Sequence, residues 1–104
     1  MLLYTGDSLV GRSTQATIRL QDIGISIEHA VISISDPSTS LTLSANSLRP
    51  EVTLEDLRSA YGTFVEGRRL TPYRVVPLEG TTQLSFGAVH ATFHFLESYL
   101  NGSD

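Results

Sequence analysis

The sequence contains no cysteine, which removes disulfide cross-links and thiolate zinc sites from consideration and leaves the redox compartment open. Lysine is absent too: all seven basic residues are arginine, set against eleven acidic ones for a formal charge of −4. A net acidic chain does not suit broad, sequence-independent binding to nucleic acid, which needs a basic face, so any anion site has to be local. No apolar run reaches membrane-spanning length, and Met1-Leu2-Leu3-Tyr4-Thr5-Gly6 lacks the basic start and long apolar stretch of a signal peptide. The chain is therefore expected to be soluble and unsecreted, with no direct contact with nucleic acid or membrane. Amphipathic helical periodicity, a Gly-x-Ser-x-Gly nucleophile elbow, a Walker-type phosphate loop and a dinucleotide fingerprint are all missing.

What the sequence does contain is alternation. At 104 residues it has the size of one domain, long enough to bury a core without cross-links or a structural metal. Apolar and polar residues alternate at a period of two in short runs, which predicts strands over Ser8–Arg12, Ala16–Leu20, Ala30–Ile34, Ser40–Ser44, Val52–Leu57, Thr63–Val65, Thr81–Phe86 and Val89–Leu96. Between them lie Asp36-Pro37-Ser38, Asn46-Ser47-Leu48-Arg49-Pro50, Glu66-Gly67-Arg68 and Leu78-Glu79-Gly80, rich in residues that fix or permit turn geometry.

Many short strands in one small domain predict an all-β sandwich of two twisted, mainly antiparallel sheets. Its core is expected to draw on Ile18, Leu20, Val31, Ile34, Leu41, Leu43, Leu54, Phe64, Val65, Leu84, Phe86, Phe93 and Phe95. The domain is expected over residues 1–97, with 98–104 a frayed polar tail.

The chemistry is expected on loops at one end, where a rigid sandwich leaves side chains free. Three loop signals stand in order: Val10-Gly11-Arg12 at a strand end, Ser26-Ile27-Glu28-His29 before an apolar strand, and the stretch from Leu54 to Gly67 containing Arg58-Ser59-Ala60-Tyr61-Gly62-Thr63. Each is weak alone, but their order and spacing are specific. Arginine offers a planar fork of donors suited to phosphate oxygens, which makes Arg12, Arg49, Arg58, Arg68, Arg69 and Arg74 candidates. A serine hydrolase would have to pair Ser26 or Ser59 with His29 and an acid such as Asp22 or Asp56. A metal site could start from His90 and His94, four apart on one strand, but no third ligand is evident.

In this order the signals resemble the forkhead-associated (FHA) family, whose pattern is Gly-Arg, then Ser-x-x-His, then a segment like Asn-Gly-Thr followed by a turn glycine. Ser26-Ile27-Glu28-His29-Ala30-Val31 and Tyr61-Gly62-Thr63-Phe64-Val65 are most similar to the variant found at the amino terminus of the regulatory subunit of the DNA double-strand-break nuclease complex. The resemblance implies a module that binds phosphothreonine peptides without catalysis, cofactor or metal. It implies Arg12 and Ser26 as the phosphate ligands, with Gly11, Ile27, Arg58, Ser59 and Ala60 completing the peptide-binding surface. His29, Tyr61, Gly62 and Thr63 are implied to support the loops, His29 by bridging two of them through its two ring nitrogens.

The implied partners are acidic, Ser-Asp-Thr-Asp-like phosphothreonine segments of adaptor or end-resection proteins, with Arg58, Arg68 and Arg69 as cations for the acidic flanks. A full-length protein would add BRCT domains and the break-processing nuclease complex, and would be nuclear. The sequence departs from the family pattern at Tyr61, where asparagine is usual, and at Ala60, where a cationic or hydroxyl residue is frequent; Glu28 adds a negative charge to the Ser-x-x-His segment. The alternative is an FHA-like docking scaffold without phosphate recognition.

Overall fold

Every second side chain of a strand points the same way, and the buried positions of this chain follow that rule: Val10 with Ser8, Ala30 with Ile32, Val52 with Leu54 and Asp56, and Thr82 with Leu84 and Phe86. The computed structural model describes residues 1–35 and 50–95. The expected strand over Ser40–Ser44, with Leu41 and Leu43, lies outside them, as do Arg49, the turn at Asp36-Pro37-Ser38 and the tail at 98–104.

Among the described residues there are nine strands and no helix. They are β1 (Gly6–Gly11), β2 (Ile18–Arg19), β3 (Ala30–Ser35), β4 (Glu51–Asp56), β5 (Thr63–Val65), β6 (Arg68–Arg69), β7 (Val76–Pro77), β8 (Thr82–Phe86) and β9 (Val89–Phe93). One sheet has the order β2-β1-β3-β4-β7 and the other β6-β5-β8-β9. All pairs are antiparallel except β1 with β2, where Gly11 lies opposite Arg19 in a parallel pair.

The registers stack the apolar residues into layers. Val10 faces Ala30, Ser8 faces Ile32, and Ile32 in turn faces Leu54. From the second sheet, Phe86 and Leu84 stand opposite Thr63 and Val65. Val10, Ala30, Ile32, Val52, Leu54, Leu84 and Phe86 form one buried cluster with Ile25 and Leu78, against which Ile18, Leu20, Ile34, Val65, Phe93 and Phe95 pack. Each fully buried aliphatic or phenyl side chain contributes about 1.5–3 kcal/mol.

Two expected core residues do not belong to that cluster. Val31 sits between Ala30 and Ile32 and faces outward, half-buried opposite Leu9. Phe64 points away from the side shared by Thr63 and Val65, and its cross-strand neighbours are Arg69 and Ser85. Conversely Val10, Ile25, Ala30, Ile32, Val52 and Leu78 are core residues beyond the expected set. The β5–β6 hairpin turns through Glu66 and Gly67, with φ of 49° and 80°. That is the type I′ pattern, in which glycine carries the second left-handed position at little cost. β7 is an edge strand, the place where a proline such as Pro77 is tolerated because no inward N–H is required of it.

Candidate functional site

Past the end of β1 the backbone keeps pairing. His29 N–H donates to the Val10 carbonyl at 2.8 Å, Arg12 N–H to the Ser26 carbonyl at 3.1 Å, and Ser13 N–H to the Ile27 carbonyl at 3.2 Å. The approach is so close that a side chain at Gly11 would run into the Ile27 carbonyl oxygen, with the Ser26 carbonyl oxygen 3.2 Å from the same point. Glycine is needed there for space. Its consequence is that Arg12 and Ser26, fourteen positions apart in the chain, are fixed side by side. The Arg12 Nε also donates to the Ile25 carbonyl, which orients an otherwise exposed side chain.

A third segment, the loop from Leu57 to Gly62, is fastened to the other two. Ala60 N–H donates to Ser26 Oγ at 2.9 Å. His29, wholly buried, accepts the Ser26 N–H at Nδ1 (3.1 Å) and donates from Nε2 to the Gly62 carbonyl (2.9 Å). Those two partners assign the neutral tautomer with its proton on Nε2. The same Gly62 carbonyl accepts Gly87 N–H at 2.9 Å, which brings in the β8–β9 turn, and the imidazole packs edge-on to Phe86 with centroids 5.8 Å apart.

The loop's own shape comes from Asp56. The strand parity that buries Val52 and Leu54 also turns the Asp56 carboxylate inward, at the strand end. There Oδ1 accepts the hydroxyls of Ser59 (2.6 Å) and Thr63 (2.7 Å), and Oδ2 accepts the Ser59 N–H (3.2 Å). The buried charge is thus compensated by hydrogen bonds. Gly62, at φ +88°, crosses beneath Arg69, whose Nε would lie 2.7 Å from a side chain placed there.

The result is a loop cluster with spare donors. Ser26 Oγ accepts one bond and keeps its own proton to give, and the Arg12 guanidinium keeps its terminal amino groups. Beside Arg12 a cavity of about 370 Å³ is lined by Arg12, Arg19, Gln21, Asp22 and Ile23. The arrangement can receive an anion. It does not assemble the serine hydrolase considered above, because both nitrogens of His29 are committed to backbone groups and Ser59 Oγ is bonded to Asp56. His90 Nδ1 lies 3.0 Å from Ser85 Oγ, and among the described residues no cluster of three potential metal ligands occurs.

A family model for the FHA domain matches residues 8–87. The chain belongs to the FHA domain family. It is similar to nibrin of Gallus gallus, at 34% identity over 92 residues; the match covers 88% of this chain and 12% of nibrin, so the chain spans a small fraction of that protein's length. Its fold is similar to that of the MEK1 FHA domain solved in complex with a HOP1 phosphothreonine peptide, with a TM-score of 0.65 and 19% identity over 85% of this chain and 79% of the other. It is likewise similar to a chain of the S. pombe Nbs1–Ctp1 complex, with a TM-score of 0.68 and 21% identity over 89% of this chain and 31% of that one. At these identities the structural likeness establishes the fold.

Within this FHA domain Gly11 is buried and Ser26 half-buried, and the other residues expected at the site divide into two groups. Arg12, Ile27, Arg58, Ala60 and Tyr61 are exposed at the loop end, Ile27 and Tyr61 to 60% and 64%. His29, Ser59, Gly62 and Thr63 are buried. Ser59, expected on the peptide-binding surface, is buried with its hydroxyl turned inward to Asp56. Tyr61, expected to support the loops, has its ring exposed on the surface beside Gly24.

Arg58 takes a left-handed conformation, φ 60°, with its side chain in solvent. Arg68 and Arg69 are exposed on β6, and Arg74 is exposed beyond it. Sequence reasoning missed Asp56 as the organiser of the third loop, although its parity with Val52 and Leu54 signals an inward carboxylate. It also omitted Arg19, which stands opposite Gly11 and whose Nε donates to the Arg12 carbonyl at 3.3 Å.

Proposed function

We propose that this FHA domain binds a phosphothreonine-containing segment of a partner protein, with Arg12 and Ser26 as the phosphate ligands, and catalyses nothing. The observation that carries the reading is the junction of these two residues: Arg12 N–H is bonded to the Ser26 carbonyl, and Ser26 Oγ is bonded to Ala60 N–H, so three separate segments are tied together at Ser26. Charge-assisted hydrogen bonds contribute about 1.5–3 kcal/mol each, so two or three supply about 4–8 kcal/mol. A micromolar affinity amounts to about −8 kcal/mol in all, so most of the binding would depend on the phosphate. Ile27, Arg58, Ala60 and Tyr61 supply the exposed surface on which the flanking peptide would lie, with Gly11 holding the notch closed from behind.

The similarity to nibrin supports a finer reading: recruitment of phosphorylated, acid-flanked partners in the nuclear response to DNA double-strand breaks. The test is a titration of the domain with matched Ser-Asp-Thr-Asp peptides, phosphorylated and unphosphorylated, by fluorescence anisotropy. Binding is expected only for the phosphorylated form, and Arg12→Gln is expected to weaken it roughly 10- to 150-fold, the equivalent of one charged hydrogen bond. Equal affinity for both forms, or binding to neither by a protein that melts cooperatively, would leave the domain a docking scaffold and end this reading.

A further inference from the structure

We propose that Arg19 and the cavity it shares with Arg12 form a second anionic subsite, which reads a carboxylate side chain flanking the phosphothreonine. The proposal rests on the phosphothreonine reading given above. β2 is only two residues long, yet its parallel pairing sets Arg19 directly opposite Gly11, one residue before the phosphate-binding arginine. The Arg19 Nε is tied to the Arg12 carbonyl at 3.3 Å, so the side chain is held across the strand end instead of sweeping through solvent. Its terminal amino groups remain free, since an arginine carries five N–H donors and only the one on Nε is used. No carboxylate among the described residues pairs with Arg12 or Arg19.

The cavity is lined by Arg12, Arg19, Gln21, Asp22 and Ile23, so it shares Arg12 with the Arg12–Ser26 notch. Asp22 is the sole acid of this lining, and its Oδ1 is engaged by Gly24 N–H at 2.9 Å. Two cations against one partly occupied anion leave the cavity net positive on a chain whose formal charge is −4. Arg12 belongs to both places, so the second anion must sit close to the phosphate. Same-side residues of an extended peptide recur about every 6.6 Å, or two residues. An acidic residue one to three positions from the phosphothreonine can therefore reach the cavity, while a basic residue there would be repelled.

The test uses the purified domain and phosphothreonine peptides in a neutral background, with a single aspartate stepped across the three positions on either side and an asparagine control for each. Anisotropy titrations of the native domain are expected to show one position, or two adjacent ones, at which aspartate binds about two- to fivefold tighter than asparagine, as for an exposed ion pair. The preference is expected to shrink at high salt. Arg19→Gln should abolish it and leave the neutral phosphopeptide unchanged, Arg19→Lys should keep part of it, and Asp22→Asn should enlarge it. A flat profile in the native domain overturns the proposal. So does an Arg19→Gln variant that weakens every phosphopeptide equally, because Arg19 would then only brace Arg12. If phosphate dependence persists under either result, the subsite alone fails; if the unphosphorylated peptide binds equally well, the functional reading fails with it.

Discussion

Replacing His29 by alanine tests whether one buried ring holds the loop end together. The substitution removes the acceptor of Ser26 N–H and one of the two donors to the Gly62 carbonyl. Two hydrogen bonds at a net contribution near 1 kcal/mol each come to about 2 kcal/mol. The edge contact with Phe86 adds about 0.5–1.5 kcal/mol. The total, about 2.5–3.5 kcal/mol, lies near the cost of removing a buried aromatic ring. For a domain of this size it lowers the melting temperature by roughly 10–28 °C.

Because folded domains are stable by about 5–15 kcal/mol, the variant should remain folded in the cold, where binding can be measured. There the Ser26 and Gly62 segments are no longer tied to each other through the ring, and re-ordering one residue on binding costs about 1–2 kcal/mol, or a 5- to 30-fold loss of affinity. His29→Gln restores a donor and an acceptor and should recover part of both losses. Thermal melts by circular dichroism, anisotropy at low temperature and amide exchange at Ser26 make the measurement. Unchanged exchange at Ser26 together with a melting shift below about 4 °C, the equivalent of under 1 kcal/mol, would refute the assignment of His29 as the bridge.

Asp56→Asn replaces a carboxylate that accepts three hydrogen bonds with an amide that must set a donor against a donor or rotate away from two hydroxyls. A destabilisation of about 2–3 kcal/mol in urea denaturation is expected, and combined with Ser59→Ala the effects should be less than additive, since the two share bonds. Gly11→Ala forces a methyl against the Ile27 carbonyl and should cost about 1–3 kcal/mol, with a lower urea midpoint and an unchanged slope. Gly67→Ala meets nothing within 4 Å and carries only the strain of its left-handed φ of 80°, about 1–2 kcal/mol; it should leave peptide affinity unchanged.

The sheets were legible because burial enforces parity, and the misreadings came where parity was ignored. Val31 and Ile34 cannot face the same side of one strand, and the buried positions fall on the even side of β3, with Ala30 and Ile32. β7 was invisible because Val75-Val76-Pro77 reads as a broken run, and only its position at a sheet edge makes the proline acceptable. β6 is two arginines that look like turn charges until the type I′ hairpin pairs them with β5. At the site, the motif residues were legible as a set, but which way each pointed was not. Ser59 looks like a ligand as readily as a brace, and the decision belongs to Asp56, three residues earlier. Arg19 looks like any solvated charge, and only the parallel β1–β2 pair brings it beside Arg12.

These placements separate the geometry of the loop end from its selectivity. Gly11, His29, Asp56, Ser59, Gly62 and Thr63 are buried and bonded to one another or to the backbone, so they set where Arg12 N–H, Ser26 Oγ and Ala60 N–H stand. Ile27, Glu28, Arg58, Ala60 and Tyr61 are exposed and carry none of that framework through their side chains. Ala60 illustrates the separation: its contribution to the junction is a backbone N–H, which any residue except proline supplies. The absence of a cationic or hydroxyl side chain at that position therefore leaves the junction intact. The same logic removes Glu28 from the framework, because its charge stands in solvent next to a backbone that Arg12, Ser13 and His29 already hold.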